Sequence, residues 1–264
     1  MKEQDGQEYR ALLREVIAER VAQEPVALLF SGGTDSLTIL WTLLGLGARV
    51  TCYTFRLPEV ESTDIRASRL ACQHWGVPQE IVVSGSEVAA DVRETITIIK
   101  SDRKTHVEVM YAYRFLMGAV KERQVWTGIQ ADTLYGSNKN AAIRCGKASA
   151  EEFAQYRRGL LASPGQEGLQ QAQMMARHFG KELCVPYADP RLRDWFMRWP
   201  WRELNTPKQK MPPVLGFADR FQEVAIYRHD DNLQCGSGIR EHMAAVFHGH
   251  QRAAYKRMLQ EVSG

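Results

Sequence analysis

The 264-residue chain has little of several things, and each shortage narrows what it can be. No apolar run approaches the roughly 20 residues that a helix needs to cross a bilayer. Cysteines number five, Cys52, Cys72, Cys145, Cys184 and Cys235, widely scattered and without a C-x-x-C pair. That argues against a disulfide framework and against a paired zinc or cluster site, and reads as reduced thiols. Charge of one sign is scarce: the net charge is +3, which neither demands nor excludes a nucleic-acid partner. The opening "MKEQDGQEYR" has no apolar core, so a secretory leader is not expected and a cytoplasmic setting is. Internal repeats, low-complexity tracts and long linkers are absent as well. So are G-x-x-x-x-G-K-[ST] and G-x-G-x-x-G, the signatures of γ-phosphate transfer on a P-loop and of dinucleotide binding.

What is present is an ordinary globular balance, 44% apolar and 25% charged, in a chain long enough to bury a core without staples. "EYRALLREVIAERVA" spaces its apolar residues as an amphipathic helix. "PVALLF" reads as a strand buried on both faces, and "SLTILWTLLGLG" as a helix ending in glycine. Strands at "RVTCYTFRL", "QEIVVSG" and "QVWTG" then alternate with helices at "TDIRASRLACQHWG", "SEVAADVRETITIIK" and "HVEVMYAYRFLMGAVKE". That alternation predicts a doubly wound α/β fold with a parallel sheet. Beyond about residue 145 the pattern is helical and later broken by prolines, six of the ten falling after residue 185. The expected organisation is a lead-in helix over 1–24, an α/β core over 25–145 and a helical part over 146–264 packed on that core.

The chemistry is concentrated in "SGGTDS", residues 31–36, between the first strand and its helix. A strand that feeds a helix through glycines sets the free N–H groups of the helix at the carboxyl edge of the sheet, where they bind anions. Gly32 and Gly33 allow close backbone approach, and Ser31, Thr34 and Ser36 add hydroxyl donors. Asp35 suits a phosphate site only with a divalent cation between it and the phosphates. In open α/β sheets ligands sit where the strand order reverses. If the first and fourth strands flank that point, Asp35 and Asp132 meet across the crevice and could hold Mg²⁺ on a triphosphate.

"SGGTDS" resembles the pyrophosphate-binding loop of the ATP-pyrophosphatase (PP-loop) superfamily, whose members cleave ATP between the α and β phosphates. "VWTGIQADTLYG" (125–136) resembles the "SGEGADELFGGY" segment of asparagine synthetase, and "ELCVPYADPRLRDWF" (182–196) that family's "EARVPFLDHRL" region. The three occur in the family's order, so the resemblance covers roughly residues 25–240 and extends to β-lactam synthetase. It implies an adenine nucleotide alpha hydrolase-like fold, with ATP and Mg²⁺ as cofactors. It implies that Ser31, Gly32, Gly33, Thr34, Asp35 and Ser36 grip phosphates, and that Phe30, Tyr53, Thr54 and Phe55 lie near the adenosine. Thr127 and Gly128 would lie near the ribose and α phosphate. "KQKMPPVLGF" matches "KxxLRxxF" with Lys210 as the lysine that neutralises charge during adenylation, Lys208 as its alternative, and Phe217 seven residues on. The catalytic set implied is Lys210, Asp35 and Asp132, with Asp35 and Asp132 as metal ligands.

The sequence departs from that family in two places. Asparagine synthetase opens with a glutaminase domain whose nucleophile is its first cysteine, whereas residue 2 here is Lys2. Free ammonia, ammonia from a separate partner, or a substrate amine is therefore the expected nucleophile. The family's catalytic glutamate, or the tyrosine of the lactam-forming branch, falls at Ile129, which moves no protons. His106, Glu108 and Tyr135 are the candidates for a general base. "YRHDDNLQCGSGIRE" resembles the closing segment of such enzymes, with Arg228 or Arg240 toward phosphate, and Arg103, Lys104 and His106 at a helix start hint at an anionic ligand. The reading is an AMP- and pyrophosphate-forming ligase that adenylates a small-molecule carboxylate and forms an amide. The alternatives are a PP-loop enzyme that adenylates a base of tRNA or DNA, for which "HGHQRAAYKRM" offers a basic helix, and a non-catalytic nucleotide binder.

Overall fold

The computed structural model describes residues 1–58, 60–136, 150–162, 168–224 and 233–263. Cys145, Arg228 and the first six residues of the closing segment, 227–232, lie outside the described residues. Five parallel strands form one sheet in the order β3-β2-β1-β4-β5: β1 (Val26–Leu29), β2 (Val50–Arg56), β3 (Gln79–Val83), β4 (Gln124–Trp126) and β5 (Glu182–Cys184). In register, β1 sets Ala27 opposite Val125 of β4 and Leu28 opposite Cys52 of β2. The chain winds outward from β1 to β3 and then returns to the other side for β4 and β5. The order therefore reverses between β1 and β4, as the sequence predicts for a doubly wound sheet.

Alternation along the strands divides the core in two. Val26, Leu28, Phe30, Cys52 and Trp126 face one side, against α1 (Glu3–Ala18), α2 (Thr34–Gly45) and α3 (Thr63–Trp75). Ala27, Leu29, Tyr53, Phe55 and Val125 face the other, against α4 (Val88–Ile99) and α5 (Lys104–Ala119). Every residue of β1 is buried, which is why "VALL" reads as an unbroken apolar run.

The helical part divides between the same two faces. After α6 (Ala131–Tyr135) and α7 (Ala150–Ala162), α8 (Leu169–His178) joins the α5 side through Ala172 and Met175. Next come α9 (Pro190–Met197), α10 (Trp201–Asn205), α11 (Met211–Gly216) and α12 (Ala218–Glu223). The first two bring Trp195, Phe196 and Leu204 to the α1 side. A short α13 (Leu233–Gly236) precedes α14 (Ile239–Val246) and α15 (Gln251–Ser263), which cover α4 and α5. Arg157 of α7 is 2% exposed and donates to the carbonyls of Leu134, Phe196 and Trp199, so one guanidinium closes the ends of α6 and α9 together. Among the described residues no helix is long and apolar enough to cross a membrane.

Candidate active site

The loop after β1 is built around two close approaches. Gly32 has φ +69°, and a Cβ there would stand 2.6 Å from Ser68 N and 2.7 Å from the Ala67 carbonyl carbon of α3. Only glycine fits that backbone and that space. Gly128, after β4, would bring a Cβ to 3.0 Å from Asp35 Cβ, so the two loops touch at the switch point. Gly33 is the N-cap of α2 and offers no side chain to its free N–H groups. The loop satisfies itself in part: Ser31 Oγ accepts the Gly33 N–H at 3.2 Å, and Ser36 Oγ donates to Gly33 O at 3.0 Å. An uncapped helix start opening on a cavity is a ready anion site.

The cavity holds about 450 Å³, within the usual range for a small-molecule site. Phe30, Ser31, Gly33, Asp35 and Ser36 line it from the first loop, Thr127, Gly128 and Asp132 from the fourth. Tyr53, Thr54 and Phe55 line it from β2. Thr54 spends its hydroxyl internally, donating to Phe30 O at 2.7 Å, and Tyr53 donates its phenol to Glu122 at 2.8 Å. Of the residues expected to contact nucleotide, Gly32 and Thr34 are not on the cavity wall: Gly32 faces α3, and Thr34 is 2% exposed in the first turn of α2.

Lys210 closes the floor. Its Nζ lies 2.7 Å from Asp35 Oδ2 and 2.9 Å from Asp132 Oδ1, and its side chain is 2% exposed. The two carboxylates therefore meet across the crevice, as predicted, with the predicted lysine between them. Lys208 is exposed and does not line the cavity. Lys210 has φ 58°, a left-handed conformation unfavourable for a residue with a Cβ. Asn205 Oδ1 accepts its backbone N–H at 3.3 Å, and Asn205 Nδ2 donates to Tyr135 O at 2.9 Å. Strain of this kind, about 1–3 kcal/mol, is characteristically held where function requires it.

Beneath the lysine runs a chain of buried hydroxyls. Tyr9 OH lies 3.3 Å from Tyr135 OH and 3.0 Å from Tyr187 OH, and Tyr187 OH lies 2.7 Å from Thr38 Oγ1, which donates to Asp35 O at 2.9 Å. The Lys210 ammonium stands 5.3 Å from the Tyr135 ring. Burial, with Tyr187 and Tyr9 adding to it, pushes the Tyr135 phenol well above its usual range. Tyr135 is thus a protonated support under the site rather than a base in it.

Glu108 is buried behind the wall, 3.6 Å from Lys104, and burial raises its carboxyl. Of the three candidate bases only His106 lines the cavity. Arg103, Lys104 and Arg240 are not on the wall, and Arg240 pairs with Glu241 at 2.9 Å. Phe217 is 1% exposed, packed against Trp41 and beneath the Arg10 guanidinium.

Several lining residues carry no advance signal in the sequence. Gln130, with φ 80°, turns the chain into α6; Tyr156 and Gly168 complete the wall beside Ile129; Asp64 reads in sequence only as a first-turn acid of α3.

The Asp35 and Asp132 pair fits a divalent cation. Both carboxylates converge on one cationic nitrogen, and hard oxygen donors are what Mg²⁺ takes, with phosphate and water completing its shell. Among the described residues no third His, Cys, Asp or Glu joins them, so any such ion would depend on phosphate oxygens.

Residues 8–157, more than half of the chain, match the asparagine synthase family. The chain belongs to the asparagine synthase family. Membership makes it a PP-loop, ATP-using synthetase. The match ends at Arg157, so the Lys210 loop is carried by the structure and by the sequence resemblance alone. No curated protein matches this asparagine synthase family member. Among solved structures it is similar to a predicted subunit of tRNA methyltransferase from Methanocaldococcus jannaschii, at 13% identity and a TM-score of 0.36 over 66% of this chain and 74% of that one. A likeness so distant says nothing about the reaction.

Proposed function

We propose that this chain is an AMP- and pyrophosphate-forming ligase that adenylates a small-molecule carboxylate and passes the acyl group to ammonia or an amine. The observation that carries the reading is the buried Lys210 ammonium between Asp35 and Asp132, at the mouth of an uncapped helix. Such a floor suits a reaction in which negative charge builds on phosphate oxygens.

A substrate carboxylate oxygen attacks the α phosphorus, the bond to the β phosphate breaks, and an acyl-adenylate and pyrophosphate form. The free N–H groups of α2 and the hydroxyls of Ser31 and Ser36 receive the departing pyrophosphate, and Lys210 offsets charge developing at the α phosphate. Asp35 and Asp132 would hold Mg²⁺, which when bound neutralises the phosphate oxygens. An amine then displaces AMP. Ammonia supplied by a separate protein is compatible with this scheme.

A second reading rests on Ile129 and on α15, whose Arg252, Lys256 and Arg257 are exposed: adenylation of a carbonyl oxygen on a nucleic-acid base. ATP–pyrophosphate exchange across amino and dicarboxylic acids, with and without RNA or DNA, separates the two. Carboxylate-dependent exchange abolished by Asp35→Ala supports the ligase. Exchange only with nucleic acid supports the second reading. ADP as product overturns both, and tight ATP binding without turnover points to a nucleotide sensor.

A further inference from the structure

The ligase reading leaves one proton without an acceptor. An amine that bonds to an acyl carbon becomes cationic and must lose a proton before the amide is complete, and Ile129 stands where the family carries a proton-moving side chain. His106 is beside it. A Cβ on Gly168 would lie 3.9 Å from His106 Cδ2 and 3.9 Å from Ile129 Cδ1, so the imidazole and the isoleucine flank one point on the cavity wall.

The ring is 6% exposed and held from one side only. Nδ1 lies 3.1 Å from Ser101 Oγ, which also accepts the Arg103 N–H at 3.3 Å. Nε2 is buried and has no hydrogen-bond partner among the described residues. A buried polar atom in that condition is completed by water or by a ligand group, and His106 lines the cavity where either can reach the wall. Burial, with Arg103 adding to it, pushes His106 down to about 4, so the ring is neutral at physiological pH.

We propose that His106 is the proton acceptor of the second half-reaction, taking over from the position held by Ile129. The proposal rests on the ligase reading for its substrate. The amine nitrogen attacks the acyl carbon of the adenylate and the C–N bond forms. The acyl C–O bond to AMP breaks with its electron pair, the nitrogen's proton passes to Nε2, and Nε2 returns it to water after AMP leaves. Ser101 Oγ accepts Nδ1–H in the tautomer that leaves Nε2 its lone pair. The weakly basic ring takes the proton only once bonding to carbon has made the nitrogen acidic, which places proton transfer after or with attack.

Two measurements on the full chain test this. In the first, acids of the exchange panel are adenylated and ammonium chloride is added as the amine source. His106→Gln is expected to slow amide formation about 100-fold or more while exchange stays within about threefold. Imidazole added to His106→Gly is expected to restore part of the rate. Equal loss of exchange and amide formation in both variants overturns the proposal, as does amide formation at the wild-type rate. In the second, nitrogen-15 NMR of the wild-type protein, with the His106 signal assigned by its absence in His106→Gln, reads the tautomer at neutral pH. A neutral ring protonated on Nδ1 is expected, and a ring protonated on Nε2 or on both nitrogens overturns the proposal. If no acid supports exchange, the ligase reading fails separately, and the tautomer still shows whether Nε2 can accept a proton.

Discussion

At the scale of the residue, Lys210 and His106 show the two ways in which burial sets chemistry. Lys210 is buried with its nitrogen between two carboxylates, the pairing that a buried ammonium needs. Lys210→Ala removes a group that both carboxylates touch, and ATP–pyrophosphate exchange is expected to fall about 100- to 1000-fold. Lys210→Arg is not a mild replacement, since a planar fork cannot stand at one point between two carboxylates. His106 behaves in the opposite way: desolvation first, then Arg103, favour the neutral ring. Its pKa is about 4 when folded and near 6.5 when unfolded, so its contribution to stability is full above about pH 6.5 and is lost as pH falls toward 4. Urea unfolding at pH 7.5 and pH 5 is expected to differ by about 2 kcal/mol on this account, a difference that His106→Asn removes. An equal pH dependence in the variant would show that other groups govern acid stability.

At the scale of the element, the Lys210 loop is held from the far side by α1. Gly6 and Gly216 mark the place where α1 and α11 approach by backbone: a Cβ on Gly216 would stand 2.4 Å from Gly6 O, and one on Gly6 would stand 2.6 Å from Gly216 N. Neither neighbour is the flexible end of a side chain. Gly216→Ala must therefore push α11 off α1 and move the strained residue six positions upstream. We expect a stability loss of about 1–3 kcal/mol by denaturant titration, with a parallel loss of exchange activity. Full exchange activity in a destabilised variant would mean that α11 does not position Lys210. The elements themselves were largely legible. "VALLF", "TCYTF" and "EIVV" carry strand signals because those strands are long enough for apolar and β-branched residues to show, and the helices between them have clear periods. β5 is not legible: unlike β4, which is equally short but carries Val125 and Trp126, "ELC" has no β-branched or aromatic residue and takes its conformation from pairing with β4. Asp35, Asp132 and Lys210 were legible through motifs, whereas Gln130, Tyr156 and Gly168 enter the cavity by a tertiary route that no local pattern encodes.

At the scale of the whole molecule, both faces of one sheet are covered, and α1 shares its core with α9, α10 and Phe217. Lead-in helix, core and helical part are therefore expected to unfold together. The thiols offer the readout. Cys52, Cys72 and Cys184 are buried, burial and the neighbouring Cys72 push Cys52 well above the usual thiol range, and burial pushes Cys184 up to about 12. These three should resist a thiol reagent in the native protein and become reactive in a single transition that coincides with loss of helical signal. Earlier release of Cys184 alone would reveal a separately melting edge. The same long-range packing sets an order in time. Asp35 and Lys210 are 175 positions apart, so at about 5–20 residues per second the ribosome delivers the lysine roughly nine to thirty-five seconds after the carboxylate it pairs with. Until then the two carboxylates lack this counter-charge, and nascent chains carry the loop after β1 without the lysine that closes the cavity floor.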